Sequence, residues 1–393
     1  MPLRGDCKVL ATGRWLRRRP KNVFTLVECL SSPLKICHLP FAICHLPFAI
    51  CHLPFAICHL PLRFQISDFR FQIFATPFCF KHLPPKIFHR TPNTEHRTPK
   101  TPSPMLANWI LAARPKTLLA AFAPVTMGAT LALREGRFQL WPMLGALLCA
   151  ISVQIGTNFC NDYCDFFQGA DTDDRKGPAR AVQSGLISPR SMLMATILMF
   201  AITGAASWLL YLRAGWPFLV LGVFSILFGV LYTAGRFSLA YLGIADPFVL
   251  FFFGPVAVAG THYVQSLQFD WSTAIAGLGP GLIATGLLVV NNLRDIDEDR
   301  HANKRTLAVR FGATFSRYQY TACLVLAALV PIAFGAIENE WWPSLALLMI
   351  LPGAFVASKV WRNDGLALRP YLGMTAGLLL LYTVLFCAGL LLQ

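Results

Sequence analysis

From Leu106 to the end of the chain, apolar runs of about twenty residues alternate with short polar connections. A helix of that length, at 1.5 Å per residue, crosses a hydrocarbon core of roughly 30 Å. The runs predict helices near 116–134, 139–160, 191–212, 216–234, 240–261, 272–291, 319–337, 342–361 and 370–391. Prolines and glycines inside them (Pro124, Gly254, Pro255, Gly279, Pro280, Gly281) are tolerated in membrane helices and need no functional account. The Phe-rich run FVLFFFGP reads mainly as lipid-facing or packing residues, with a smaller part available to line a tunnel. The expected fold class is an all-α integral membrane protein of about nine transmembrane helices.

The cations between these runs are unevenly placed. Connections on one side hold Arg134, Arg137 and Arg213, whereas those on the other hold about sixteen Lys and Arg, a positive-inside bias. It predicts a multi-pass protein of the cell (inner) membrane with a cytoplasmic N-terminus and an outward C-terminus. Composition agrees: of 393 residues 55% are hydrophobic and 13% charged, and the mean hydropathy is +0.53, which excludes a soluble domain with one apolar core. A net charge of +15 would point to nucleic acid if it were spread evenly, but about +11 lies before Met105, so no nucleic-acid partner is expected.

Residues 1–104 are unlike the remainder. The heptapeptide ICHLPFA recurs from Ile36, pairing Cys37, Cys44, Cys51 and Cys58 with neighbouring histidines. A proline in every copy forbids a continuous helix, and no alternating polar face marks a strand. We read 1–104 as a low-complexity leader, disordered or wrongly assigned as coding, and 105–393 as the functional domain. The cysteines after it (Cys149, Cys160, Cys164, Cys323, Cys387) lack zinc-ligand spacing and read as small apolar residues.

Two polar stretches interrupt the apolar pattern. The first, NFCNDYCDFFQGADTDDRKGPARAVQSG (158–185), places Asn158, Asp162 and Asp165 on one face of a helix end, with Asp171, Asp173, Asp174, Arg175, Lys176 and Arg180 following. The second, NNLRDIDEDRHANKRTLAVRFG from Asn291, spaces Asn291, Asp295 and Asp299 by four among Arg294, Arg300, Lys304 and Arg305. Carboxylates this dense at a membrane-helix end repel one another unless a cation neutralises them. One acidic pair alone reads as a solvated helix end, but two matched clusters on the same side point to one site for Mg²⁺ and a polyphosphate. A cation or polyprenyl-phosphate transporter is the alternative from another class; it would place acids nearer mid-helix. No GxxxxGK[ST] nucleotide loop occurs.

These two stretches, including GPARAVQSG and NKRTLAVRFG, resemble the two aspartate-rich motifs of the UbiA-type intramembrane prenyltransferases; FFFGPVAVAGTHYVQ also resembles that family, and the likeness covers about residues 105–393. Within that family they favour the branch that prenylates 1,4-dihydroxy-2-naphthoate in menaquinone biosynthesis; other aromatic acceptors are the alternative. The chain departs from the family pattern at GRFSLAYLGIAD (235–246), where Asp246 stands in place of an expected glutamate. The resemblance implies nine helices around a central cavity, with both motifs at its cytoplasmic mouth. It implies that Asp162, Asp165, Asp295 and Asp299, with Asp171, hold Mg²⁺ against the diphosphate of a polyprenyl donor. Arg180, Arg294, Lys304 and Arg305 would neutralise diphosphate oxygens. Asn158, Asn161 and Asn291 would orient ligands or waters, and Gln183 lies where the loop approaches the substrates. Asp173, Asp174 and Asp297 stay open between metal ligands and solvated loop charges.

Overall fold

The computed structural model describes residues 105–168, 180–235 and 238–392. The leader with its Cys-His repeat, and Asp171, Asp173 and Asp174, lie outside the described residues. Within them the chain is helical and forms no strand. Helix α1 (Met105–Ala113) is followed by α2 (Pro115–Arg134), α3 (Leu140–Gln168), α4 (Pro189–Ala214) and α5 (Pro217–Leu231). A single turn, α6 (Leu239–Leu242), leads into α7 (Ala245–Ser266), α8 (Trp271–Arg294) and the short α9 (Ile296–His301). The chain ends with α10 (Leu307–Glu338), α11 (Trp342–Arg362) and α12 (Gly365–Leu391). Eight of the described helices are long and apolar enough to cross a membrane; α5, with 15 residues, is a shorter apolar helix. This is the all-helical membrane architecture that the hydropathy pattern predicts.

Local sequence explains where the helices start. Ser188 accepts the Ser191 N–H ahead of Pro189, Asp270 accepts that of Ser272, and Thr306 that of Val309, each satisfying a first-turn donor. Two boundaries differ from expectation. Helix α3 continues to Gln168, eight residues beyond the apolar run, because its polar end is buried against neighbouring segments rather than left in water. Helix α10 starts at Leu307 instead of near 319, with Thr306 as its cap and a break in helical geometry at Gly312.

Helix α8 is the centre of the bundle, with Ile283, Val290 and Leu293 at most 1% exposed. Its sequence is apolar on all sides, as a helix surrounded by others must be. Gly277 and Gly281 let α7 approach closely at its kink. A Cβ on Gly254 would lie 2.6 Å from the Gly277 carbonyl oxygen, so neither helix has room for a side chain there. Helices α2, α10 and α12 complete the core around Met127, Tyr320, Phe334, Tyr382 and Phe386.

The end of the bundle away from the acidic residues is tied by polar contacts. Arg134 pairs with Glu338 and Glu340, and His262 Nε2 lies 2.9 Å from Glu135 Oε1. Arg213 donates to the carbonyls of Val264 and Gln265, occupying acceptors at the end of α7. Trp141, Trp216, Trp271, Trp341 and Trp342 are exposed near the same helix ends, a placement that suits a membrane interface.

Candidate active site

Both acidic stretches reach one polar pocket of about 80 Å³ at the other end of the bundle. From α3 it takes Asn161 and Asp165. From the end of α8 through α9 it takes Asn291, Asn292, Asp295, Glu298 and Asp299, and beyond them Lys304 and Thr306. Arg180, Arg114, Tyr232 and Thr233, with the small Ala240 and Ala302, complete the lining.

The first cluster is one helical face, as its spacing predicts. Asp162 and Asp165 are 2% and 1% exposed, so their charges need partners. Asp165 lies 2.6 Å from Arg180 Nη2 and 3.2 Å from Lys304 Nζ, which joins the two acidic stretches across the mouth. Asp162 Oδ2 accepts the Ala181 N–H at 3.0 Å. Adjacent residues of the 180–187 segment thus clamp to adjacent acids of α3. Packing holds that segment down: Ala181, Val182 and Ile187 bury against Ala112, Phe159 and Met192, and Trp109 of α1 meets Phe159 edge-on. Asn161 accepts a hydrogen bond from the Thr233 hydroxyl.

The second cluster is not one continuous helix. Helix α8 stops at Arg294, Asp295 caps it with φ −98° and ψ 14°, and α9 follows. The i to i−4 bonds survive the break: Asp295 N–H reaches the Asn291 carbonyl, and Asp299 N–H that of Asp295. Asn291, Asp295 and Asp299 therefore keep a common direction into the pocket. Arg294 is buried beside its own neighbour, donating to Asp295 through Nε and Nη2 and to Asn291.

Asp162 and Arg294, buried beside the pocket, do not line it, and three further expected ligand-binding residues are placed elsewhere. Asn158 is one turn too deep: its amide donates to the Ala113 carbonyl and the Thr117 hydroxyl, tying α3 to the α1–α2 junction. Gln183 is half-buried in the 180–187 segment and does not line the pocket. Arg305 is exposed, and its backbone N–H donates to the Tyr241 carbonyl. Asp297 is exposed and pairs with Arg300. Asp246 is buried between α7 and α10, where it accepts from Gln319 at 2.8 Å. Cys160 and Cys164 are buried with Ala234, consistent with small apolar packing.

Several lining residues were not singled out from the sequence: Arg114, Tyr232, Thr233, Asn292, Glu298 and Thr306, with the small Ala240 and Ala302. The one local signal is the Arg114-Pro115 junction, where Arg114 takes a left-handed backbone (φ 53°) immediately before a proline that starts α2.

Beneath the polar pocket is an apolar cavity of about 190 Å³ walled by α2, α3, α4, α5 and α7. Val125, Val153, Leu210, Leu221, Phe228, Phe248, Phe252 and Phe253 supply its surface, and Tyr232 lines both spaces. The Phe-rich run is thus more tunnel wall than the sequence reading allowed. Phe248, Phe252 and Phe253 face the cavity, whereas Phe251 is 56% exposed.

The polar side chains lining the pocket are carboxylates, amides, hydroxyls, guanidiniums and an ammonium. No Cys or His lines it, which suits a hard divalent ion and a phosphate ester rather than a soft metal. Among the described residues no three carboxylates form a ready-made cage. That is compatible with Mg²⁺, which takes one or two protein carboxylates and completes its shell with waters and substrate phosphates.

Comparison with known proteins agrees with this geometry. Residues 121–371 match the UbiA prenyltransferase family. The chain is 35% identical over 300 residues to the 1,4-dihydroxy-2-naphthoate octaprenyltransferase of Haemophilus influenzae, covering 73% of this chain and 96% of that protein. It is 38% identical over 285 residues to the enzyme of the same name from Mycobacterium tuberculosis, covering 72% and 96%. A UbiA homologue from Aeropyrum pernix shares the fold with a TM-score of 0.55 at 15% identity, over 70% of this chain and 97% of that one. A UbiA homologue from Archaeoglobus fulgidus, solved with GPP and Mg²⁺, gives 0.51 at 14% identity, over 71% and 99%. Matched acidic helix ends, an apolar cavity beneath them and these relatives together place the chain in the UbiA prenyltransferase family.

Proposed function

We propose that the chain transfers a polyprenyl group from polyprenyl diphosphate to 1,4-dihydroxy-2-naphthoate, with loss of the ring carboxylate, in menaquinone biosynthesis. The observation that carries this reading is the junction at Tyr232 between a charged oxygen-lined pocket and an apolar cavity. A diphosphate with a long hydrocarbon tail needs both environments at once. The acceptor follows from the names of the relatives at 35% and 38% identity.

Asp162, Asp165, Asp295 and Asp299 would hold Mg²⁺, with Asp171 as a further candidate. The ion, when bound, lowers the barrier to breaking the allylic C–O bond by neutralising charge on the diphosphate. Arg180, Lys304 and Arg114 present guanidinium and ammonium donors to the same oxygens, and their attraction grows as the leaving group takes up the bonding electron pair. Asn161 and Asn291 orient ligand oxygens or waters. Phe228, Phe248 and Phe252 exclude water from the allylic cation, which would otherwise be quenched. An electron-rich ring carbon then bonds to the prenyl C1. The carboxylate on the ring leaves as CO₂, its bonding electrons restore the aromatic ring, and demethylmenaquinol results.

The Lys and Arg bias supports a place in the cell (inner) membrane with the polar pocket cytoplasmic and the C-terminus outside. Residues 105–393 are the catalytic domain in this reading, and the leader is dispensable. Isosteric, charge-removing substitution of one acid from each cluster tests whether they form one site. Asp165→Asn and Asp299→Asn should each reduce product formation on the order of a hundredfold or more in membranes with normal protein levels. Full turnover with either cluster altered would refute a shared site.

A further inference from the structure

The turn between α5 and α7 bears directly on Lys304, although it lies more than sixty residues earlier in the chain. Tyr241 accepts the Arg305 N–H at 3.2 Å, and its ring lies under Lys304 with Nζ 5.7 Å from the centroid. Arg310 Nη2 donates to the Leu242 carbonyl at 2.5 Å. Gly243 ends α6 with φ 68°, a conformation that disfavours a side chain. A Cβ there would lie 2.0 Å from the Arg305 carbonyl oxygen, so any larger residue must push the 304–305 backbone away. Lys304 cannot shift alone, because its own N–H donates to the Asp299 carbonyl at 2.8 Å while its ammonium reaches Asp165.

We infer that Tyr241 and Gly243 are positioning residues: they form a seat that sets Lys304, and with it Asp299, against the acids of α3. The glycine fixes how closely the 304–305 backbone can approach. The aromatic face holds the ammonium by cation–π attraction while leaving its protons for oxygen acceptors. Neither residue lines the polar pocket. Their effect on turnover would pass through Lys304. This inference rests on the prenyltransfer reading only for the reaction used to measure it.

The test is a set of double-mutant cycles on kcat/KM for polyprenyl diphosphate in the full-length protein. Gly243→Ala, Tyr241→Leu and Lys304→Ala are made singly, and each seat variant is combined with Lys304→Ala. Each single variant is expected to lower kcat/KM on the order of tenfold or more. The doubles should be no worse than Lys304→Ala alone, because the seat acts through that side chain. Tyr241→Phe keeps the ring and should restore most of the activity. Multiplying losses in both doubles, or wild-type kcat/KM in Gly243→Ala and Tyr241→Leu, would overturn the seat. If Gly243→Ala fails to fold, the Tyr241 variants decide. Thermal stabilisation by Mg²⁺ with inorganic pyrophosphate is read in parallel, with the same expected non-additivity. If wild type makes no product, prenyl transfer fails as a reading, and the seat is judged on pyrophosphate stabilisation. Equal stabilisation of wild type and seat variants, or none in wild type, would then overturn it.

Discussion

Asp165 is nearly fully buried between two cations from different parts of the chain, Arg180 and Lys304. Such a carboxylate is stable only while its partners remain, and removing one side of a buried pair typically costs about 3–5 kcal/mol. Arg180→Ala should therefore lower both thermal stability and turnover, whereas Arg180→Lys should recover stability more than rate, because an ammonium lacks the planar fork. Melting curves and product formation on the same preparations separate the two effects. Tyr232→Phe keeps the cavity wall and loses only the hydroxyl at the junction. It should reduce kcat by roughly tenfold and leave the KM for the diphosphate nearly unchanged, which steady-state kinetics would show. The aspartates were legible because helical spacing alone puts Asp162 and Asp165 on one face. Tyr232 was not legible, since a single tyrosine at the end of an apolar run looks like packing until the register of α5 against α3 is known. Asn158 shows the converse: it shares the acidic face in sequence, but one turn of depth gives its amide to the Ala113 carbonyl instead.

At the scale of elements, α7 decides the shape of the cavity. Its kink at Gly254 fits against Gly277 and Gly281 of α8, and this leaves Phe248, Phe252 and Phe253 toward the cavity. Gly254→Val should cost at least about 1–3 kcal/mol through overpacking, read as a lower melting temperature. Gly260 lines the cavity on the same helix, and the nearest atom to an added Cβ, on Leu221, is 3.9 Å away. Gly260→Leu should therefore fold normally but narrow the cavity. It should discriminate against long polyprenyl donors relative to geranyl diphosphate by about tenfold in kcat/KM. Equal effects on long and short donors would show that the tail does not run past this position. Hydropathy located α7, and Gly254-Pro255 is itself a local kink signal; what could not be read from α7 alone is the close fit of that kink, which depends on the glycines of α8. The break at Asp295 was hidden for a related reason: its i to i−4 bonds continue, so the four-residue spacing survives while the helix itself ends.

For the whole molecule, the apolar runs gave the helices because a membrane helix must satisfy its backbone internally and show its greasy side chains to lipid. What they could not give was which helix sits at the centre. That place falls to α8, whose small residues admit neighbours on every side. The far end is tied by Arg134, Glu135, Arg213 and His262, while both acidic stretches gather at the other end above the apolar cavity. This polarity from wet to dry along one bundle is what a diphosphate with a hydrocarbon tail requires. The account is tested most directly by membranes containing the full-length protein, supplied with Mg²⁺, a polyprenyl diphosphate and 1,4-dihydroxy-2-naphthoate, with 4-hydroxybenzoate as competing acceptor. Mass spectrometry should find a prenylated, decarboxylated naphthoquinone that disappears with EDTA and in Asp162→Asn. Absence of any prenylated product from either acceptor, in membranes shown to hold folded protein, would contradict it.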